Sequence, residues 1–485
     1  MFISLALFAA AAVSAQVPKV WVDAKIEALE VPLAEAEYSS SHISSADYYR
    51  IPERVIYRSY PVYHPDREPE GYQEWLATRE PEVAFDVSKL ESEADWVSAG
   101  DIVFNAPTSF GPVFFGEREI RNPKFFGEGG MPVAADGTIP FARWVVREKG
   151  KVELGSMGCN TCHTRVMPDG SVVAGAQGNN PGDREGARML AMAAKFMKPE
   201  EVLERIRRFA LQFEMPWLDH DPNRRAREMS LDELVAAGEA IPAGVTARAF
   251  TSMLIPPQIP DIIGVQERHY LDHAGLVRHR EIADLMRYSS LVQDMMKYSS
   301  HGEFPAEAKP VAGKGARYSD AQLYALARYV YSLEPPKNPY AFEETARKGK
   351  AVFEREGCAG CHAPPLYTNN KLVPADGFTP PGDSPDAVMD RSIGLDTRTA
   401  LETLKGTGYY KVPSLKGVWY RGPFEHNGSV ATLEDWFDPA RLREDYQPTG
   451  FKGGGVTTRA VPGHRFGLEL SAGDKAALLA FLRTL

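Results

Sequence analysis

Two segments of the chain carry the same amphipathic pattern. Residues 319–333 and 471–485 place apolar side chains three and four positions apart, with polar residues between them, which is the spacing of one buried helix face. Each segment begins with a serine, Ser319 or Ser471, and serine is a preferred residue at helix N termini. The pattern predicts one amphipathic helix in each segment.

Shorter segments alternate between apolar and polar residues, as strands do. Residues 142–146 and 151–154 alternate around Gly150, and a second pair of short apolar runs within residues 166–173 surrounds Gly170. Short runs of this kind joined by a glycine-containing turn are typical of β-hairpins. The sequence therefore predicts two antiparallel ribbons in this part of the chain.

A longer helical pattern follows these ribbons. Residues 184–213 have apolar side chains at helical spacing and charged residues on the opposite side. Met189, Met192 and Phe196 fall on the apolar side. We expect them to fill the core, because methionine stripes on helices pack more often than they bind metals.

The N-terminal part has no comparable periodicity. Residues 16–137 interleave proline with tyrosine and phenylalanine, which predicts an irregular covering region that either packs only or also gates access to a site. Residues 1–15 are apolar and end in a small-residue pattern at Ala15. They predict a signal peptide and export, although no basic residue precedes the apolar run. No later segment predicts a transmembrane helix.

A gapless internal repeat precedes both terminal helices. It predicts a domain duplication, with domains at residues 138–335 and 340–485 and a proline-rich linker around residues 334–339. The matching positions are Pro260, Gly264, Arg268, His273 and Gly275 in the first copy and Pro413, Gly417, Arg421, His426 and Gly428 in the second.

All four cysteines lie in two Cys-x-x-Cys-His motifs, one in each copy. The motif is the attachment site of c-type haem, in which two thiols bond the porphyrin and the histidine ligates the iron. A four-thiolate zinc site is the alternative, but it does not require a histidine after each pair. The sequence thus predicts two covalent haems. The residues are Cys159, Cys162, His163, Cys358, Cys361 and His362.

Charge narrows the possible partners. The chain has a formal net charge of −10, which argues against nucleic acid or an anionic membrane as a partner and is compatible with a small basic redox protein. Covalent haem is normally attached outside the cytoplasm. Both this chemistry and the N-terminal segment therefore predict a periplasmic or otherwise exported protein.

The repeated histidines are candidates for the sixth iron ligand. His426 and His273 occupy equivalent places in the repeat, and each either ligates a haem iron or hydrogen-bonds the chain beside the haem. Met389 is a reserve ligand for the second haem. His464 is grouped with the remaining histidines, which are expected at the surface or in hydrogen bonds.

These motifs resemble those of the bacterial dihaem cytochrome c peroxidases and their relatives, the methylamine-utilisation dihaem enzyme and the dihaem rubber oxygenases. The resemblance is carried by residues 358–367, 410–415 and 423–433. It implies two cytochrome c-like domains, a first haem that activates peroxide or oxygen, and a second haem that transfers electrons.

The chain departs from the family pattern in three places. Residues 436–441 offer neither the Met nor the Tyr that some relatives use as the second haem's sixth ligand, which favours His426. His273 stands where relatives have a tryptophan between the haems. The region of the catalytic glutamate corresponds to Gln293 and Asp294, which either handle protons or lie on a solvated helix face.

The expected fold is mainly α, with two cytochrome c-like haem domains, short β ribbons and an irregular N-terminal region. The expected function is that of an exported dihaem oxidoreductase that takes peroxide, oxygen or an organic substrate and exchanges electrons with a small redox protein. The alternative is a pure electron carrier with both irons six-coordinate. The sequence leaves open whether a calcium ion lies between the domains.

Overall fold

The computed structural model describes residues 17–39, 41–110, 116–210, 217–220, 228–248, 252–294, 299–300, 316–382, 387–453 and 455–485. Its α-helices are α1 Asp23–Glu27, α2 Ser45–Tyr48, α3 Tyr72–Ala77, α4 Glu93–Asn105, α5 Glu117–Ile120, α6 Pro123–Gly129, α7 Cys159–Cys162, α8 Gly182–Ala193, α9 Pro199–Ala210, α10 Leu231–Glu239, α11 Ile282–Asp294, α12 Asp320–Ser332, α13 Glu344–Arg355, α14 Arg398–Leu401, α15 Leu433–Trp436 and α16 Ala472–Arg483.

The strands are short, with one exception. They are β1 Ser41–His42, β2 Ser59–Tyr63, β3 Ser109–Phe110, β4 Thr138–Glu148, β5 Lys151–Ser156, β6 Thr164–Val166, β7 Val172–Ala174, β8 Tyr270–Leu271, β9 Val277–Arg278, β10 Ser299–Ser300, β11 Leu372–Pro374 and β12 Tyr409–Lys411. Six 3₁₀ turns lie among the described residues, at Ala36–Tyr38, Pro65–Arg67, Val87–Lys89, Val265–Glu267, Cys358–Gly360 and Pro439–Leu442.

Both predicted terminal helices are confirmed. The side chain of Ser319 accepts a hydrogen bond from Gln322 N at the start of α12, and Ser471 does the same for Asp474 N at the start of α16. These bonds satisfy backbone donors that have no partner within the helix. The terminal segments therefore begin where their serines predict.

Each terminal helix crosses another helix at a glycine. A Cβ atom on Gly100 of α4 would lie 2.0 Å from the carbonyl oxygen of Ala325 in α12. A Cβ atom on Gly349 of α13 would lie 1.8 Å from the carbonyl oxygen of Ala477 in α16. Both crossings bring backbone against backbone, so no larger residue fits there.

The two predicted hairpins are confirmed as well. Strands β4 and β5 pair antiparallel with Trp144 opposite Leu154, and β6 pairs with β7. Strands β2 and β3 join the first hairpin to form a four-stranded antiparallel sheet in the order β2-β4-β5-β3. The fold is therefore a mixture of helices with small antiparallel sheets, and this sheet is larger than the ribbons expected.

The N-terminal region is more regular than predicted. It contains the 13-residue helix α4, whose N terminus has a capping box formed by Ser92 and Asp95. Trp21 and Tyr48 stack with ring centroids 4.5 Å apart and lie in the same buried cluster as Leu323 of α12. The prediction of an irregular covering region was wrong here, because prolines flank α4 without interrupting it.

The helical pattern at residues 184–213 is divided in the structure. Helix α8 ends at Ala193, and α9 begins at Pro199, a residue that suits the first turn of a helix. Met189 is partly buried against the core, but Met192 is 44% exposed and Phe196 is 84% exposed. The core placement of these two was wrong, since Phe196 lies in the connection between the helices.

No helix within the described ranges is both long and apolar enough to cross a membrane. The segment predicted as a signal peptide, residues 1–15, lies outside the described residues.

Candidate haem sites

The first Cys-x-x-Cys-His motif is fixed to the large sheet. Its short helix α7 begins after Gly158, and the buried side chains of Asn160 and Thr161 donate hydrogen bonds to the carbonyl oxygens of Pro140 and Phe141 on β4, at 2.7 and 3.1 Å. The sheet therefore sets the orientation of the motif.

His163 is oriented by the repeated motif. Its Nδ1 lies 3.1 Å from the carbonyl oxygen of Pro260, to which it donates a hydrogen bond in the neutral ring. Burial lowers the pKa of His163 to about 4 and outweighs the effect of this bond. The ring is therefore neutral, and its Nε2 is left with a lone pair for a metal.

His362 has the same environment in the second motif. The 3₁₀ turn Cys358–Gly360 follows α13, and the Nδ1 of His362 lies 3.1 Å from the carbonyl oxygens of both Tyr367 and Pro413. Burial lowers the pKa of His362 to about 4. Pro413 is the repeat counterpart of Pro260, so the two histidines are held by equivalent carbonyls.

A cavity of about 240 Å³ lies against the second motif. Most of its wall is apolar, and Cys358, Cys361 and His362 lie on it together with His426 and His464. Two thiols, a neutral imidazole and an apolar wall are the donor set and environment that a thioether-bound haem requires. The residues therefore fit the cofactor that the sequence predicts.

The two cysteine pairs belong to different parts of the core. Cys159 packs against the cluster that contains α4 and α12, whereas Cys358 packs against the cluster built from α13 and α16. A single four-thiolate zinc site needs both pairs around one ion. Their separate packing favours two haem sites.

His464 faces the same cavity as His362, and sequence reasoning missed its position. The two ring centroids are 6.3 Å apart. Two imidazoles that bind one metal from opposite sides, each with a metal–nitrogen distance of about 2 Å, have a similar separation. The only signal in the sequence is a histidine shortly before the last helix, and nothing in its spacing links it to residue 362.

The backbone and partners of His464 hold the ring in place. The residue has a left-handed φ of 45°, and its carbonyl oxygen accepts a hydrogen bond of 2.7 Å from Arg441. Its Nδ1 accepts a hydrogen bond of 3.2 Å from the indole N–H of Trp436. Burial, followed by the nearby His362 and Arg441, lowers the pKa of His464 to about 3, so the ring is neutral.

His426 has protein atoms beside both ring nitrogens. Its Nδ1 lies 2.6 Å from Oε1 of Glu425, a carboxylate whose side chain is 3% exposed. Its Nε2 lies 3.4 Å from the hydroxyl oxygen of Tyr410, and the two rings stack 4.7 Å apart. The ligand role predicted for His426 stays a prediction, and these contacts instead favour hydrogen bonding beside the haem.

His273 also lines the cavity beside the second motif, although it comes from the first copy of the repeat. Its Nε2 lies 2.6 Å from the carbonyl oxygen of Gln258. Burial, followed by the nearby Lys411, lowers the pKa of His273 to about 4. The neutral ring therefore donates to Gln258 from the nitrogen that would bind iron, and its predicted role as a ligand also stays a prediction.

The two copies exchange backbone hydrogen bonds at this point. Gln258 N donates to the carbonyl oxygen of His426 at 2.8 Å, and Lys411 N donates to the carbonyl oxygen of His273 at 3.0 Å. Residues 258 and 411 are equivalent in the repeat, as are 273 and 426. The contact is thus reciprocal, and it places the two repeated motifs side by side.

Near the first motif the structure offers a different set of polar groups. The hydroxyl of Tyr288 on α11 donates to Oδ2 of Asp272 at 3.1 Å, and burial raises the pKa of Tyr288 well above 10. The charge of Arg248 acts on both His163 and Tyr288. These groups were not predicted, because only the fold brings Tyr288 to Asp272.

Three other residues were predicted as candidates, Gln293, Asp294 and Met389. Helix α11 ends at Asp294, and the side chains of Gln293 and Asp294 lie outside the described part. The Met389 sulfur lies 3.7 Å from the Cys361 sulfur, and Met389 is not among the residues that line the cavity beside the second motif.

Parts of the chain are similar to known proteins. Residues 408–447 match a family model described as RoxA-like, cytochrome c-like. The chain is 28% identical over 178 residues to the methylamine utilization protein MauG of Methylorubrum extorquens, covering 35% of this chain and 44% of that protein. It is 26% identical over 167 residues to the cytochrome-c peroxidase IdrP1 of Denitromonas iodatirespirans, covering 30% and 41%.

The matched part thus spans less than half the length of these relatives. A solved structure of a MauG-like protein associated with microbial copper homeostasis is similar at 19% identity and a TM-score of 0.29, covering 47% of this chain and 73% of that one. The family model and the relatives confirm the resemblance to the dihaem peroxidase, MauG and RoxA superfamily.

Proposed function

We propose that this relative of the dihaem cytochrome c peroxidases, MauG and RoxA is an exported dihaem c-type oxidoreductase. The observation that carries the proposal is the equivalence of its two attachment sites. His163 and His362 each donate Nδ1–H to the carbonyl of the proline that begins a repeated motif. Each ring keeps Nε2 for an iron beside two thiols.

The chain consists of two duplicated cytochrome c-like domains, at residues 138–335 and 340–485, and α4 completes the first. Two observations support the duplication. The helix crossings α4–α12 and α13–α16 both place a glycine against an alanine carbonyl. Asp272 and Glu425, which are equivalent in the repeat, both have left-handed φ angles, of 70° and 73°.

His362 and His464 would together hold the iron of a haem bound at the second motif. The separation of their rings and their shared cavity support this assignment. An Nε2 lone pair on the neutral ring of His464 requires the ring proton on Nδ1, so in that tautomer Nδ1 would no longer accept the hydrogen bond from Trp436. His426, the ligand favoured by the sequence, would then keep its close contact with Glu425 and its hydrogen bond with Tyr410.

Haem at His163 supplies peroxide or oxygen activation, and haem at His362 supplies electron transfer to or from a small redox protein. On the first side, Tyr288 keeps its proton at neutral pH because burial raises its pKa. Its hydroxyl donates to Asp272, and the pair can hold and orient a proton there. Gln293 and Asp294 remain predictions for the same task.

Optical and EPR spectra of the ferric holoprotein, with and without cyanide, test this function. We expect two covalent haems per chain, one high-spin and converted by cyanide, the other low-spin and unaffected. Two low-spin haems that ignore cyanide would instead support the pure electron carrier.

Variants assign the ligand in the same experiment. His464→Ala should convert most of the low-spin signal to high-spin, because one strong-field ligand is lost. His426→Ala, the matched control in the same cavity, should leave a low-spin haem. The reverse result would restore His426 as the ligand.

A further inference from the structure

A second, polar cavity lies between the two repeated motifs. Its wall includes Pro260 and Pro413, whose carbonyl oxygens accept hydrogen bonds from His163 and His362. It also shares Lys411 and Arg421 with the haem cavity around His362. A group that starts in the haem cavity can therefore extend into this one.

The lining of this polar cavity is strongly cationic. Arg268, Lys371, Lys411 and Arg421 line it, and Asp261 is the one carboxylate among its described lining residues. That carboxylate is already engaged, because its Oδ2 accepts a hydrogen bond of 2.9 Å from Tyr420 and its Oδ1 lies 3.6 Å from Arg268. Charges in such surroundings are stable only with counter-ions.

The arginines are fixed by the repeat. Arg268 donates to the carbonyl oxygens of Asp261 and Ile263, and Arg421 donates to that of Ser414 at 2.8 Å. Ser414 is the repeat counterpart of Asp261. The buried Nε of Arg421 has no hydrogen-bond partner among the described groups. The two guanidinium groups are therefore held in equivalent places, and one keeps an unused donor.

Lys411 is the most unusual of these cations. Within the described part of the chain its ammonium group has neither an ion-pair partner nor a side-chain hydrogen bond, while its backbone N–H donates to His273. Burial, followed by the charges of Arg268 and Arg421, lowers the pKa of Lys411 to about 7, and the opposing charge of Asp272 does not compensate. Such a site favours an anion next to the ammonium and repels a divalent cation.

We infer that this cavity receives the carboxylate groups of the second haem, with Lys411 and Arg421 as their counter-ions and Arg268 as a third positive charge. This inference rests on the proposed function. Haem bears its two carboxylates on the edge opposite the vinyl groups that bond cysteine, and Lys411 and Arg421 line both cavities. The calcium ion that the sequence left possible is not required here, because protein cations neutralise the carboxylates.

Spectroelectrochemical titration of the dihaem holoprotein tests the inference. Lys411→Met should lower the midpoint potential of the low-spin haem, since loss of a nearby positive charge disfavours electron uptake. The pH at which haem carboxylates affect that potential should rise by about one to three units. Lys411→Arg should retain the wild-type behaviour, as should Lys416→Met, which removes an exposed lysine from the same segment.

A second experiment uses the wild-type protein, so its outcome does not depend on whether a variant folds. Dialysis against a chelator and addition of calcium should each leave its spectra and potentials unchanged. Loss of the low-spin signal on chelation, restored by calcium, would overturn the inference, as would a Lys411→Met potential equal to that of Lys416→Met. Absence of covalent haem from the wild type would overturn the proposed function itself.

Discussion

Among single residues, the role of a histidine here is set by what faces its two nitrogens. His362 gives one nitrogen to carbonyl oxygens and keeps the other, whereas His426 lies between Glu425 and Tyr410. Both line one cavity, and both are buried. Residue type alone therefore could not distinguish these two environments.

A buried carboxylate at Glu30 gives a prediction on pH. Both Glu30 oxygens lie 2.9 Å from the ammonium of Lys405, and Oε1 lies 3.0 Å from Nε2 of His42. Burial raises the pKa of Glu30, but the charge of Lys405 and the bonds to both partners outweigh it and lower the pKa to about 2. The unfolded value is about 4.3, so this stabilisation is complete above that pH and is lost as pH falls towards 2.

We expect Glu30→Gln to lower the free energy of unfolding by about 1–3 kcal/mol at pH 7. The difference from wild type should shrink as pH falls from 5 towards 2, which urea unfolding at several pH values measures. Glu27→Gln, at a neighbouring exposed position, is the control and should change little. A difference that is the same at every pH would refute the electrostatic explanation.

At the scale of helices and strands, the two haem motifs are held by different elements. Helix α13 leads directly into the second motif, whereas three strands of the four-stranded sheet lie along the chain between α4 and the first motif, although α4 packs against α7. The first motif is instead bonded to that sheet through Asn160 and Thr161. The two similar helix crossings, α4–α12 and α13–α16, are thus connected to their haem motifs in different ways.

The helix crossing at Gly349 is open to a direct test. Gly349→Ala should destabilise the holoprotein by about 2 kcal/mol or more, because the new methyl group meets the Ala477 carbonyl and overpacks the crossing. Gly127→Ala on helix α6 is the control. Its Cβ meets nothing within 4 Å, so alanine should stabilise that helix by about 1 kcal/mol. Equal thermal shifts in the two variants would show that the crossing is not tight.

In the whole molecule, the two copies meet through more than the linker. The reciprocal bonds from Gln258 and Lys411 join the repeated motifs. The fully buried Gln177 adds side-chain bonds of 3.0–3.2 Å to Gly244, Pro423 and Gly422. These contacts are interior, so we expect the halves to stay together without a covalent connection.

Cutting the linker checks this expectation. A protease site inserted at residues 336–338 should yield two fragments that co-elute in gel filtration, each with one covalent haem on a haem-stained gel. Gln177→Ala in the same cleaved protein should weaken the association, because it leaves the Gly422 N–H and two carbonyls without that partner. Separation of the unsubstituted halves without denaturant would contradict the role of this interface.

Sequence patterns were sufficient to predict the two attachment motifs, both hairpins, both terminal helices and the internal repeat. These features are local or periodic, so covalent chemistry and side-chain spacing were enough to predict them. The resemblance to dihaem proteins followed from the same residues.

Only the tertiary structure decided what faces each motif. His464 and His362 are far apart along the chain, and packing of the last helix region brings them to one cavity. The crossing at Gly100 and the cationic cavity at Lys411 likewise join segments that no short-range pattern connects. Helix α4, placed by sequence in an irregular region, acquires its role by burying one face against α12.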